Sequence, residues 1–343
     1  MKPSVIIHIG FPKTATTTLQ THVFPRLPSL HYLGKFEGNP PEDPRLLYFD
    51  IHVAKVAGIK RPTMQFSQET ALALLREGRE QGKTTMISLE EIAGACLAPT
   101  IEWSNRGKLR ASFGLRDVLP PLIGFCETAG LGRPRFVVTL REQGDLLTSY
   151  YAQTAMTLYR GVPEAKSFAA FVDCILNRPD LSDTAFLDYP AFEDELAAIA
   201  GPDAYRLIAH EWLRTDPARY AAAWAEALSV PVAEFEAALQ AAPAENVRRR
   251  IGPDGTPQLA MKVPSFWSLL SRVRLRLMPN RSLGIAQRLQ RIVGHYRMPA
   301  RSFSPDAAVV ETIRERYRAS NAEFLHRRPE FAALVERAGR GMA

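Results

Sequence analysis

Short apolar runs alternate with stretches of helical periodicity through the first two thirds of the chain. Val5-Ile6-Ile7 precedes a polar turn and then apolar positions at helical spacing, predicting a strand over 4–9 and a helix over 16–24. A helix over 68–82 leads to a second short strand over 84–88. Arg135-Phe-Val-Val-Thr-Leu140 is a continuous apolar run with β-branched residues, bounded by Gly132 and Pro134, and reads as a buried parallel strand. A crossover helix over 115–129 feeds that strand, and a helix over 143–159 leaves it with Leu146, Leu147, Tyr150 and Tyr151 at helical spacing. A helix over 190–199, a strand over 205–209, alanine-rich helices over 217–228 and 233–242, and a closing helix over 309–325 complete the pattern. Strands alternating with helices predict an α/β fold, a central parallel sheet flanked by helices. Residues 25–44 are rich in proline, glycine and aromatics and read as a loop over the crevice, a natural place for acceptor contacts. His31, Tyr32 and Phe36 within it read as packing residues. No internal repeat, low-complexity tract or linker divides the chain, so one domain over 1–343 is expected, with a frayed tail at 337–343.

The first strand–helix junction carries the most chemistry. His8-Ile-Gly-Phe-Pro-Lys-Thr-Ala-Thr-Thr-Thr-Leu-Gln20 places Lys13 in the turn and Thr14, Thr16, Thr17 and Thr18 at the helix start. Backbone N–H groups at such a turn have no partner inside the helix, and the helix dipole adds partial positive charge. An anion binds there readily, with Lys13 as a point charge and the threonine hydroxyls as further donors. A threonine-capped structural turn shares these residue types. The nucleoside-triphosphate pattern G-x-x-x-x-G-K-[ST] does not fit, because Phe11-Pro12-Lys13 follows Gly10 directly and Ala15 stands in place of a second glycine.

Pro12-Lys13-Thr14-Ala15-Thr16-Thr17 resembles the 5′-phosphosulfate loop of sulfotransferases, P-K-[ST]-G-T-[TS], with alanine at the family's glycine. Ala15 serves there if its backbone is helical. The stretch from Val138 to Gln153 resembles the family's second anion segment, in which an arginine at a strand end and a serine eight residues later hold a 3′-phosphate; here these are Arg141 and Ser149. An arginine fork can take two phosphate oxygens while a serine hydroxyl donates to a third. The competing local reading pairs Arg141 with Glu142 or Asp145 and leaves Ser149 on an exposed helix face. Ser88-Leu89-Glu90 is similar to a serine-x-glutamate element of bacterial members, and a carboxylate at the carboxyl end of a strand points into the crevice of an open sheet. Glu90, or less well Glu91, could equally be a first-turn helix carboxylate. Phe303-Ser-Pro-Asp306 with Tyr317 and Asn321, and the stretch from Tyr205 to Leu213 followed by Asp216-Pro217, also resemble family segments.

The resemblance implies a P-loop-like sulfotransferase fold and a metal-free transfer of a sulfuryl group from 3′-phosphoadenosine 5′-phosphosulfate (PAPS) to a hydroxyl or amine, releasing the 3′,5′-bisphosphate (PAP). Lys13, Thr14, Ala15, Thr16, Thr17 and Thr18 would hold the phosphosulfate, Arg141 and Ser149 the 3′-phosphate, and Lys13 with Glu90 would do the chemistry. The rivals are a small-molecule kinase, whose lysine and magnesium acid the turn does not supply, and a non-catalytic protein binding anionic glycans or membranes.

Composition narrows the rest. Hydrophobic residues at 46% and charged ones at 23% of 343 are ordinary for a globular enzyme, and no run approaches the roughly 18–20 apolar residues of a membrane span. Met1-Lys-Pro-Ser leads straight into the first strand, so no cleavable leader is expected. Cys96, Cys126 and Cys174 are isolated and read as packed thiols of a reducing compartment, which points to the cytoplasm. The histidines lack metal-ligand spacing, and His8 reads as packed beside the first strand.

The charge is concentrated. Between Asn246 and Arg301, twelve arginines and lysines face Asp254 alone, whereas the whole chain is only +7. This segment reads as a loop and two basic helices split near Pro279-Asn280. It could close over the cofactor, with Arg248, Arg249 and Arg250 as contacts, or face an acidic acceptor such as a glycan or glycolipid, or lie on an anionic membrane, or simply be solvated. No nucleic-acid motif accompanies it.

Overall fold

A computed structural model describes residues 4–34, 43–58, 67–97, 100–102, 108–110, 112–156, 162–181, 184–243, 249–251, 257–261 and 302–335. The chain opens with β1 (Val5–His8), a short α1 (Thr16–Thr18) that widens into a π-helical turn (Leu19–Val23), and β2 (Leu30–Leu33). Next come α2 (Pro44–Val56), α3 (Gln68–Glu80), β3 (Thr84–Ser88), α4 (Glu90–Leu97), and a small pair β4 (Thr100–Glu102) and β5 (Lys108–Arg110). Then follow α5 (Leu115–Thr128), β6 (Arg135–Leu140), α6 (Gln143–Thr154), α7 (Phe168–Asn177), α8 (Tyr189–Ala200) and β7 (Tyr205–Ala209). The remainder is α9 (Trp212–Thr215), α10 (Pro217–Leu228), α11 (Val232–Gln240), β8 (Arg249–Ile251), β9 (Pro257–Ala260), β10 (Ser302–Phe303) and α12 (Ala307–Arg327).

Five strands form one parallel sheet in the order β2-β3-β1-β6-β7, flanked by helices, as the alternating pattern predicts. β1 and β3 are buried at every position because helices cover both faces, which is why they read as unbroken apolar runs. β6 is buried from Phe136 onward. The edge strands β2 and β7 have partly exposed positions.

The chain leaves β1 toward β2 and β3 on one side of the sheet, and leaves β6 toward β7 on the other. The carboxyl ends of neighbouring β1 and β6 therefore flank the point where the winding direction switches. Open α/β sheets bind ligands in the crevice at such a point.

Several expectations change. The stretch read as a loop over 25–44 contains edge strand β2, where His31 Nε2 bonds the Leu74 carbonyl at 3.0 Å and Tyr32 is buried. The helix after β6 ends at Thr154, short of the predicted 159. The start of the basic segment carries β8 and β9, an antiparallel pair extended by β10, where a loop was expected. Phe303 of β10 meets Tyr151 and Phe168 edge-on at 5.3 and 5.5 Å, tying this small sheet to α6 and α7. Phe36, Arg248, the predicted basic helices and the 337–343 tail lie outside the described residues.

Candidate active site

The lysine turn is built on two backbone facts. Ile9 N–H donates to the Val137 carbonyl at 3.0 Å and Phe11 N–H to the Thr139 carbonyl at 3.3 Å, so the chain keeps following β6 past the end of β1. Phe11 is then fully buried against Phe186, 4.5 Å between ring centroids, with Tyr189 and Phe192 around it. Beyond that anchor, Lys13 (φ 72°) and Ala15 (φ 61°) are both left-handed while Thr14 between them is not. Alternating handedness of this kind curls successive N–H groups into a concave nest suited to an anion. Ala15 is thus left-handed, so the helical backbone that was the condition for alanine to serve there is not what it adopts. Glycine takes such a conformation freely, and a Cβ there costs about 1–2 kcal/mol.

The floor of the turn is a buried polar network. His8 Nδ1 and Ser88 Oγ are 2.8 Å apart, and Gln20 donates to both Ser88 Oγ (2.9 Å) and the Ser88 carbonyl (3.2 Å). His8 is wholly buried and edge-on to Trp224 and Phe24; burial lowers its pKa to about 3, so it stays neutral. This matches its reading as a packed histidine. Gly10 wraps over the ring: a Cβ there would lie 2.4 Å from His8 Nε2 and 2.9 Å from Cε1.

The threonines divide their work. Thr14 is buried and its hydroxyl donates inward to the Phe11 carbonyl at 2.6 Å, so it offers the crevice its backbone rather than its side chain. The Thr16 hydroxyl donates to the Glu90 carboxylate at the start of α4, bringing the predicted base onto the lysine turn. Thr17 and Thr18 are half-buried, and the Ala15 cap uses no side chain.

Arg141 stands at the matching junction of β6 and α6. Its Nη1 donates to the Lys13 carbonyl at 2.5 Å and its Nη2 lies 3.7 Å from Asp145 Oδ2. The predicted phosphosulfate turn and the predicted 3′-phosphate arginine are therefore in direct contact. Asp145, Ser149 and Gln153 are half-buried at four-residue spacing along α6, while every other position of the helix is buried. Arg141 and Ser149 consequently share one open stripe.

On comparison with solved structures, the chain is similar to a sulfotransferase from Alicyclobacillus acidocaldarius, with 15% identity, a TM-score of 0.39, and coverage of 84% of this chain and 99% of that one. It is also similar to mouse sulfotransferase SULT7A1 complexed with PAP, with 12% identity, a TM-score of 0.39, and coverage of 92% and 89%. No protein-family model matches the chain, and no curated protein does either.

Behind Arg141 lies a set of contacts with no local sequence signal. The Tyr189 hydroxyl donates to the Arg141 carbonyl, and Glu142 N–H donates to Glu211 Oε1 at 3.1 Å, so the one peptide group that follows the arginine's Cα is pinned at both its C=O and its N–H by distant segments. Glu142 itself caps α6, accepting from Gly144 N–H at 3.1 Å and Asp145 N–H at 2.7 Å, with Arg314 at 3.4 Å. Burial pushes the Glu211 carboxyl up to about pKa 7, against the pull of the Glu142 N–H and Arg141. Gln143 and Asn321 exchange hydrogen bonds at 2.8 and 3.1 Å, fixing α12 against α6.

An anionic nucleotide suits these residues. The nest at Lys13–Ala15 supplies backbone donors, and among the described residues Arg141 Nε is buried with no hydrogen-bond partner. Among the described residues no group of histidine, cysteine or carboxylate side chains is placed to hold a metal ion, and no helix is long and apolar enough to cross a membrane.

Proposed function

We propose that the chain is a sulfotransferase that uses PAPS, and that the junctions after β1 and β6 form its nucleotide site. The observation that carries this reading is the Arg141–Lys13 contact, which puts a lysine turn and an arginine–serine helix side by side at the sheet's switch point. PAPS, when bound, supplies the sulfuryl group and a phosphate leaving group.

The residues' tasks follow from charge and position. Lys13 and the nest amides hold the phosphosulfate end and stabilise negative charge where it develops on the leaving oxygen, in fixed positions that need no reorganisation. Ala15, Thr16, Thr17 and Thr18 shape that end, Thr14 through its backbone. Arg141 and Ser149 take the 3′-phosphate. Glu90, held at the turn by Thr16, takes the proton of the acceptor hydroxyl or amine. The protein's work is thus mainly positioning and charge stabilisation, as in phosphoryl transfer. For the basic 246–301 segment, Arg248 included, the proposed task is binding of the cofactor, of an acidic glycan or glycolipid acceptor, or of an anionic membrane. The cytoplasm is the proposed compartment, in keeping with three isolated, buried cysteines.

Transfer of radiolabelled sulfate from PAPS to a fractionated lysate of the source cell tests the reading. The natural chain should label an acceptor fraction, and Lys13→Ala should cut labelling by at least about 100-fold. Undiminished labelling by the variant, or transfer of phosphate from ATP with magnesium instead, would overturn it.

A further inference from the structure

Three carboxylates surround Arg141, and their surroundings separate them. Glu142 is 4% exposed and committed to two backbone N–H groups and Arg314. Glu211, also 4% exposed, sits behind the strand end and takes the Glu142 N–H. Asp145 differs: its side chain is 19% exposed, against 12% for Arg141, and it lies on the open stripe of α6 between Arg141 and Ser149. A ligand anion spanning Arg141 and Ser149 must pass directly over it.

From this placement we infer that Asp145 is a specificity-determining residue, an internal anion paired with Arg141 that a ligand phosphate must displace. The inference rests on the proposed reading of Arg141 as the 3′-phosphate cation. While no phosphate is bound, Asp145 offsets the charge of Arg141, the guanidinium it faces at 3.7 Å. When a phosphate arrives, Arg141 exchanges one anion for another, and Asp145 is left beside a like charge. Two such charges a few ångströms apart in a partly buried crevice repel measurably. The exchange lowers affinity for every nucleotide bearing a 3′-phosphate and leaves others nearly untouched. For an enzyme that must release a 3′,5′-bisphosphate after each turnover, weakened holding of that group speeds release.

Asp145→Asn removes the charge while retaining a side-chain oxygen, and Asp145→Ser does so with a residue tolerated in a helix's first turn. Calorimetric binding of adenosine 3′,5′-bisphosphate and adenosine 5′-phosphate to the full chain supplies the readout, with thermal melting alongside. Both variants should bind the bisphosphate about 5- to 30-fold more tightly and the monophosphate within about twofold of the natural chain. In an Arg141→Ala background the gain should vanish. Bisphosphate affinity that is unchanged or weaker in both variants, or a gain equal for the two nucleotides, would overturn the inference while leaving the nucleotide site standing. A natural chain that binds both nucleotides equally would overturn the site and the inference together.

Discussion

The two strand–helix junctions at the centre of the sheet solve one electrostatic problem in opposite ways. After β1, the backbone does the work: Lys13 and Ala15 adopt left-handed conformations, and Ala15 caps α1 without a side chain, which in the proposed site leaves the turn's N–H groups for the anion. After β6, the helix end is filled from within, because Glu142 accepts from the first N–H groups of α6. What that junction offers instead is a side chain, Arg141, clamped by Tyr189 through its carbonyl and carrying Asp145 as a companion charge. Backbone donors are cheap in residues but demand strained geometry. A guanidinium demands no strain, yet it needs buried partners from distant parts of the chain to aim it.

That contrast can be attacked at the backbone first. Gly10→Ala places a methyl group 2.4 Å from His8 Nε2, so the lysine turn must lift or the ring must move. Isothermal calorimetry should show at least a tenfold loss of bisphosphate affinity, with a stability cost of about 1–3 kcal/mol in denaturant titrations. Unaltered affinity would mean the turn's height above His8 does not matter.

The arginine junction should respond to pH through Glu211, whereas His8 beneath the lysine turn stays neutral down to about pH 3. Folded Glu211 keeps its proton up to about pH 7, whereas unfolded it would lose it near 4.5. Its contribution is therefore fully present below about pH 4.5 and is lost as pH rises toward and through 7. Glu211→Gln stays neutral throughout, so its stability relative to the natural chain should climb over that range, by about 3 kcal/mol at most at pH 8. Equal denaturation midpoints for the two proteins at pH 8, with no change from pH 5, would rule out a buried proton there.

The smallest effect concerns strain alone. Ala15→Gly relieves a left-handed alanine and should raise stability by at most about 1 kcal/mol, seen as a melting shift of a few degrees or less, while leaving affinity within about threefold. A destabilised variant would mean the left-handed turn is not under strain.

Much of the architecture was legible because burial on both faces writes unbroken apolar runs. Thr84–Ser88, Arg135–Leu140 and Tyr205–Ala209 appear as strands with the expected bounds, and β1 differs from expectation only at its ends. β2 escaped notice because Leu-His-Tyr-Leu is a four-residue edge strand inside a proline- and glycine-rich stretch. At the candidate site, the proximity of Lys13 and Arg141 could be anticipated from their junctions, and Glu90 from its place after β3. The inward turn of the Thr14 hydroxyl could not, since it depends on where the Phe11 carbonyl points. Nor could the clamps from Tyr189 and Glu211, which lie 48 and 69 residues beyond the groups they hold. Asp145 did carry a local signal, its four-residue spacing from Arg141.

The central claim is that one nucleotide touches both junctions, and a double-mutant cycle measures it directly. Calorimetry of adenosine 3′,5′-bisphosphate and adenosine 5′-phosphate with the natural chain, Lys13→Ala, Arg141→Ala and the double variant is the decisive experiment. Lys13→Ala should weaken both nucleotides, whereas Arg141→Ala should weaken the bisphosphate by at least about tenfold and abolish its advantage over the monophosphate. Equal losses for both nucleotides on removal of Arg141, or none, would contradict the account.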